Sequence, residues 1–556
     1  MRVEIEGLRK ELEENVRAFL TVDDLDQEDL SGGRILALHR RGEGQIRTAL
    51  EPFGYYRPEI DSELETESER WVARYRIDPG PPLRVRSRSI ELAGEGEEDS
   101  AVAGAARRFP LGEGDVLVHS VYEEGKAALE AAAAIGGYID AAFEVSEIRI
   151  DLVGYHADVF LSYHTGPRYF FGATLLEQSV VDPDILQGYI PWKEGEPFDH
   201  EKLLEVQVGL GASPYFRRVE VAARRDEAED RRVPIEVRLV PAKPRIFRGG
   251  VGYGTDTGAR ARAGLEWRRV NRRGHQAATD VVVSEVERTF ETSYRIPAPY
   301  PRTDVISFAA GYADDDTVTA RSRTGLVSGS FSRNLGKWRE SFSLAYRREN
   351  FEVGVDQGIV DLLIPEVAFG KVTADDRIYP AWGRRLDLAA RGAAEGFLTD
   401  TSFLQLSARA KNILSFGRVR LITRAETGWT DADDFRSLPA SLRFFAGGDQ
   451  SVRGYEYQEL GRRDEEGNVI GGEALLVGSL ELDRLFLDFG RFGQWGAAVF
   501  YDVGSAARDF GDSLSSGAGA GIRWLSPIGL VRMDVAWALD SPGTPVRFHL
   551  NVGPDF

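Results

Sequence analysis

From Pro244 to Phe556 the chain alternates apolar and polar residues with a period of two, and helical periodicity disappears. Successive side chains on a strand point to opposite faces, so this pattern specifies β-structure. The last segment shows it plainly. Val546, Phe548, Leu550 and Val552 point one way, and Arg547, His549 and Asn551 the other. Sixteen segments between residues 244 and 556 read as strands, from RIFRGGVGYG to PVRFHLNVGPDF. A soluble sandwich alternates too. What separates the two architectures is charge: AGLEWRRV, SLAYRREN, LQLSARAK and VRLITRAE carry Arg, Lys or Glu at alternate positions. One dry core cannot serve sixteen such strands, whereas a closed barrel with a wet lumen and a lipid-facing exterior can. A transmembrane antiparallel β-barrel is therefore expected. No run of eighteen apolar residues exists to make a transmembrane helix. The 42% hydrophobic content is what alternating membrane strands average to.

One connection breaks the regularity. About forty residues separate the eleventh strand, RVRLITRAETGW, from the twelfth, ALLVGSLELDRL, and loops longer than about 12–15 residues are usually functional or disordered. It contains GGDQSVRGYEYQELG, residues 447–461. The segment is not low in complexity, so residues 437–472 are expected to fold back into the barrel. A guanidinium held there needs carboxylates in good geometry. Alternation puts Glu481 on the lumenal face opposite Ala474, Leu476, Leu480 and Leu482. It puts Asp502 inward with Phe500, away from Trp495, Ala497, Val499, Tyr501 and Val503. Periodicity alone leaves two readings open. Either Arg453 is clamped by Glu481 and Asp502, or it is an exposed loop residue and both carboxylates face water.

Residues 1–243 mix helix and strand. Three units of order β-α-α-β-β repeat about every 80 residues, over 1–79, 80–166 and 167–243, an α+β array ahead of the all-β barrel at 244–556. IDPGPPLRVRS and YHTGPRYFFGA join them with Gly-Pro and a basic residue, where proline stops a ladder and glycine turns the chain. EPFGYYRPEI, AAIGGYIDAAF and GASPYFRRVEV share a Tyr at the helix-to-strand corner, expected to anchor helix on sheet.

The ends of the barrel are unlike its middle. The first strand carries Gly249, Gly250, Gly252 and Gly254, and glycine weakens a strand because it costs entropy and packs nothing. The last strand presents Phe548 and Leu550 and then runs into Gly553, Pro554 and Phe556, where Pro554 donates no hydrogen bond. The seam between first and last strands is expected to be the weakest pairing in the wall. An opened seam exposes edges that template an incoming strand.

Several classes are disfavoured. A net charge of −20 argues against binding a nucleic-acid backbone. The seven His are scattered with no ligand spacing, so no enzyme, metal or cofactor is expected. GGVGYG lacks the helix a dinucleotide site requires. Cysteine is absent, as suits a disulfide-forming envelope compartment. MRVEIEGLRK has no apolar core of a signal peptide.

Val452, Arg453, Gly454 and Tyr455 form VRGY, preceded by Gly447, Gly448 and Asp449 and followed by SLEL with Glu481 and FYD with Asp502. Together with the C-terminal GIRWLSPIGLVRMDVAWAL, this pattern resembles the outer-membrane assembly superfamily of POTRA-barrel proteins, which includes BamA and TamA. The resemblance implies three POTRA domains and a 16-stranded barrel, with the loop arginine meeting acidic residues on these strands. Three repeats resemble the TamA branch; BamA is the second choice. The implied location is the bacterial outer membrane with the POTRA domains in the periplasm. The implied task is folding, insertion or translocation of β-barrel and autotransporter-type clients by a monomeric barrel in the lipid bilayer. The implied partners are unfolded outer-membrane proteins and an inner-membrane-anchored TamB-like protein at POTRA 1. The alternative is a two-partner-type secretion pore exporting one dedicated client.

Overall fold

The computed structural model describes residues 2–21, 32–67, 70–298, 300, 302–376, 378–510, 512–526 and 529–553. The chain forms two compact units. One comprises Met1–Glu177, Pro191–Val208 and Glu220–Arg238, the other Gln178–Ile190, Gly209–Val219 and Leu239–Phe556.

The repeats have the expected element order. The first is β1 (Arg2–Glu6), α1 (Lys10–Phe19), α2 (Gly32–Leu50), β2 (Glu59–Glu67) and β3 (Arg70–Asp78). The second is β4 (Arg84–Ala93), α3 (Ser100–Arg107), α4 (His119–Gly136), β5 (Ala142–Asp151) and β6 (His156–His164). The third is β7 (Phe170–Glu177), α5 (Pro183–Gln187), α6 (His200–Gly211), β8 (Phe216–Ala223) and β9 (Arg232–Pro241). Each makes a three-stranded sheet in which the first strand pairs in parallel with the third.

Helical spacing explains the first core. Leu12 and Val16 of α1, with Ile46, Ala49 and Leu50 of α2, lie on one face each and pack on Ala73, Tyr75 and Ile77 of β3. The corners between repeats are built alike. Gly54 has φ +87° and accepts a hydrogen bond from Leu83 N–H at 2.8 Å; Gly137 has φ +90° and accepts from Tyr169 N–H at 2.8 Å. A Cβ at either glycine would fall 2.6 Å from a backbone oxygen of the next repeat, so both conformation and space require glycine. The corner tyrosines differ: Tyr138 and Tyr215 are buried, whereas Tyr55 only flanks the first core.

The barrel strands are β10 (Arg245–Gly254), β11 (Gly258–Trp267), β12 (Gln276–Val283), β13 (Glu287–Pro297), β14 (Val305–Asp316), β15 (Ala320–Leu335), β16 (Trp338–Val353) and β17 (Asp356–Ala374). They continue as β18 (Gly383–Ala393), β19 (Phe403–Phe416) and β20 (Val419–Ala432). After a loop holding the short β21 (Arg462–Arg463) and β22 (Val469–Gly471) come β23 (Ala474–Asp488), β24 (Gln494–Ala507), β25 (Ser515–Ser526), β26 (Gly529–Ala538) and β27 (Val546–Val552). All sixteen sequence-predicted strands are present, in one antiparallel sheet whose neighbours follow chain order. No helix among the described residues is long and apolar enough to cross a membrane, which says nothing against strands.

Parity along the strands sets the polarity of the wall. Leu476, Leu480 and Leu482 of β23 and Val499 and Tyr501 of β24 are exposed, while Glu481, Phe500 and Asp502 between them are buried. On β16, Phe342 and Leu344 are exposed on one face, and Glu340 and Arg348 bracket them on the same face, as a membrane belt requires. Two places differ from the alternation. Ala474 is buried at the strand's entry, where it pairs with Trp429 and Ala507. At the far ends of β16 and β17 the polarity inverts: Phe351, Val353, Val360, Leu362 and Ile364 turn inward and pack against Leu438, Leu442 and Ile470 of the loop. That dry cluster makes β15, β16 and β17 longer than a membrane span alone would need.

Candidate functional site

The long loop between β20 and β23 returns into the bore. It is fastened first at its entry. Arg443, buried, donates to Asp356 at 2.9 Å and to the carbonyl oxygens of Leu438 and Ile470 at 2.8 and 3.1 Å. Ser441 Oγ donates to the buried Glu349 at 2.5 Å. From there the chain descends to Arg453. Glu481 lies seven residues below the start of β23, a run of about 23 Å along the strand.

Arg453 makes a forked contact with Asp502, Nε to Oδ2 at 2.7 Å and Nη2 to Oδ1 at 2.9 Å. Its Nη1 donates to Glu481 at 2.8 Å and to Asp534 at 3.1 Å. Its backbone N–H also donates to Asp502, and the guanidinium carbon lies 3.3 Å from the Phe500 ring centroid. Arg453 is 3% exposed and Asp502 0%, so these are desolvated ion pairs whose partners must satisfy one another. Arg523 closes the set, donating to Glu481 at 2.7 Å and to Asp534 at 2.6 Å. Ser479 Oγ donates to Asp502, and Arg424 stands 3.9 Å from the same carboxylate. Three arginines thus face three carboxylates, and the network joins the loop to β20, β23, β24, β25 and β26.

Glu481 and Asp502 were within reach of sequence reasoning. Asp534 and Arg523 were missed, although the same parity signal carried them. Arg523 lies between outward Ile522 and Trp524, and Asp534 between Met533 and Val535. The glycines of β25 are a second signal. Gly517, Gly519 and Gly521 of β25 turn one face to the lumen; a Cβ on them would overlap the Arg453 carbonyl, the Phe500 ring and the Asp534 carboxylate respectively. Also missed was a further buried pair, Arg420 with Asp483 at 2.8 Å, under the Tyr379 ring.

The rest of the motif surrounds Arg453. Val452 and Tyr455 are buried in a cluster with Leu475, Val477, Ala506 and Ala538, and Tyr455 donates to the Ser516 carbonyl at 3.3 Å. Gly454 N–H donates to His549 Nε2 of β27 at 3.0 Å. Gly447 and Gly448 have φ near +100°, which lets the chain turn before Asp449. Asp449 reaches the seam, where His549 and Thr255 hydrogen-bond to it.

At the seam, no ladder joins β10 to β27 among the described residues. Leu550 N–H instead donates to the Thr255 side chain at 3.2 Å. Leu550 therefore lies beside the end of β10, at Gly254, and not at its middle. Phe548 is exposed, and Gly553 N–H donates to Leu530 of β26. Pro554 and Phe556 lie outside the described residues. Crowding does not demand glycine at positions 249 and 250 of β10. A Cβ at Gly250 would meet open space, and one at Gly249 only the Arg262 carbonyl at 4.0 Å. At Gly252 and Gly254 it would meet side chains at 3.1 Å.

Known proteins resemble this chain in sequence and in fold. The Omp85 superfamily domain matches residues 270–556, and the first POTRA domain of TamA matches residues 2–79. Outer membrane protein assembly factor BamA of Nitratidesulfovibrio vulgaris is 24% identical over 382 residues, covering 62% of this chain and 46% of its own. The chain therefore spans about half the length of that curated relative. Among solved structures, BamA from Haemophilus ducreyi lacking POTRA domains 1–3 superposes with a TM-score of 0.67 at 16% identity, over 85% of this chain and 99% of that one. CdiB from Escherichia coli gives 0.51 at 16% identity, over 94% and 99%. Those likenesses concern the fold. With more than half of its residues inside the superfamily's own domain, and a TamA-type POTRA domain ahead of it, this chain belongs to the Omp85 superfamily.

Proposed function

We propose that the protein assists folding and insertion of β-barrel and autotransporter-type clients into the bacterial outer membrane, with its POTRA domains in the periplasm. The observation that carries this reading is the pairing of a fastened loop with an unladdered seam. A client strand would add to an exposed edge of β10 or β27, form its hydrogen bonds there and leave into the bilayer. Strand exchange of this kind needs no cofactor. The TamA-type match of residues 2–79 supports docking of an inner-membrane-anchored, TamB-like protein at the first POTRA domain. The loop motif of Gly447, Gly448, Asp449, Val452, Arg453, Gly454 and Tyr455 would hold the strands next to the seam rigid.

The test is a covalent lock. A Cβ on Gly254 would stand 4.0 Å from the Leu550 carbonyl oxygen, so the two backbones adjoin at the seam. Cysteines at Gly254 and Leu550, joined by a short bifunctional thiol reagent, are expected to stop client assembly, whereas the same reagent on either single cysteine leaves it intact. Unimpaired assembly by the cross-linked protein sinks the seam mechanism. Conductance in planar bilayers addresses the competing exporter: a sustained, large open state would favour a secretion pore.

A further inference from the structure

Asp449 belongs to the lumenal loop, yet its contacts are at the barrel's edges. Its carboxylate accepts from Thr255 Oγ at 3.1 and 3.2 Å, in the turn after β10, and it pairs with His549 Nδ1 of β27. Its backbone N–H donates to Asp256 Oδ2 at 2.8 Å, in the same turn. On the other side of the ring, His549 Nε2 accepts from Gly454 N–H. That last bond fixes the chemistry. A nitrogen accepting an amide proton must offer a lone pair, so the proton sits on Nδ1 and points at Asp449. Asp256, Asp449 and His549 bring three ligand-type atoms within 4.8 Å of one another. The imidazole nonetheless presents a proton to that space, which makes it a donor to a carboxylate and not a metal ligand.

From this geometry we infer that Asp449 and His549 are positioning residues that staple the seam through the loop. One carboxylate holds the turn after the first strand and the middle of the last strand at once, where no ladder does so among the described residues. The staple is one residue pair from the Arg453 clamp, because Gly454 binds the same imidazole. Release of the loop therefore frees both edge strands together, and a docked loop keeps them together. The inference rests on the reading of the seam as the client exit, and its test does not use client assembly.

The chain has no cysteine, so two can be placed cleanly. Val251 of β10 and Phe548 of β27 are exposed on the wall and take spin labels. In the full-length protein in nanodiscs, pulsed electron resonance is expected to give one short distance. Asp449→Ala and His549→Ala are expected to add a longer one, raising the open-to-closed ratio roughly tenfold, the scale of a lost hydrogen bond to a charged group. Asp449→Asn keeps an acceptor for Thr255 and is expected to shift the ratio less. Glu349→Gln weakens the hold on Ser441 at the loop's entry and keeps every Asp449 contact, so it is expected to leave the distance alone. If Asp449→Ala does not insert, Thr255→Val carries the test, since it removes the Asp449 and Leu550 contacts without altering a loop residue. An unchanged distance in heat-modifiable Asp449→Ala or Thr255→Val barrels overturns the staple, as does an equal shift from Glu349→Gln. Unimpaired assembly in the Gly254–Leu550 lock would instead overturn the exit reading and leave the staple standing.

Discussion

Arg453 and Asp502 meet through three hydrogen bonds, two from the guanidinium and one from the backbone N–H, at a carboxylate with no solvent exposure. Removing either partner strands the other in a dry site. Glu481→Ala with Asp502→Ala is expected to leave Arg453 with Asp534 alone, at a cost of at least about 3–5 kcal/mol. Protease nicking within residues 437–472 and loss of heat-modifiable migration would register it. A resistant loop in that variant would remove the clamp from the account.

Arg523 compensates Glu481 and Asp534, the two carboxylates that Arg453 Nη1 also meets. Arg523→Leu is therefore expected to destabilise the barrel by about 3 kcal/mol, because Glu481 and Asp534 would then share Arg453 with Asp502. A double-mutant cycle of Arg453→Leu with Arg523→Leu should show coupling of about 0.5–3 kcal/mol, and strict additivity would mean that the two arginines act separately.

How far the chain announced this arrangement depends on which signal is local. Parity is local, so the sixteen strands and the inward turn of Glu481 and Asp502 could be read residue by residue. Asp534 and Arg523 obey the same parity, but no unmatched charge in the loop called for them once two carboxylates had been found. The inverted ends of β16 and β17 were hidden because the residues that cover Val360 and Leu362 are Leu438 and Leu442, remote in sequence. The placement of Leu550 beside Gly254 depends on the stagger accumulated around the whole sheet, which no single strand encodes.

The corner between the second and third repeats offers a test outside the barrel. Gly137→Ala puts a Cβ at φ +90° and 2.6 Å from the Tyr169 carbonyl oxygen. Strain of about 1–3 kcal/mol is expected. Hydrogen exchange at the Tyr169 amide should accelerate, and exchange in β23–β26 should stay as it was.

Glu95 supplies the pH dependence of that region. The Arg168 backbone N–H, followed by the Arg231 guanidinium, holds its carboxyl below the usual range. A depressed folded value means the stabilisation is complete above the unfolded value of about 4.3 and fades as pH falls through the folded one. The exchange rate of the Arg168 amide, taken relative to the intrinsic rate at each pH, should therefore be flat from neutrality to about pH 5 and rise below about pH 4. Glu95→Gln should abolish that rise, and a rise persisting in the variant would assign it to another carboxylate.

Gly250→Val separates two explanations of the glycine-rich first strand. Were the glycines there to relieve crowding, valine would clash and weaken the barrel. The space around Gly250 is open, and its φ is not in the left-handed region, so valine fits the backbone it would inherit. Replacing glycine in a strand then gains roughly 0.5–1 kcal/mol, since the unfolded chain loses freedom and a β-branched side chain suits the pleat. The barrel is expected to become slightly more resistant to denaturant, while client assembly slows because β10 parts less readily from its neighbours. A variant that is both more stable and fully active would show that softness in β10 is irrelevant to the task.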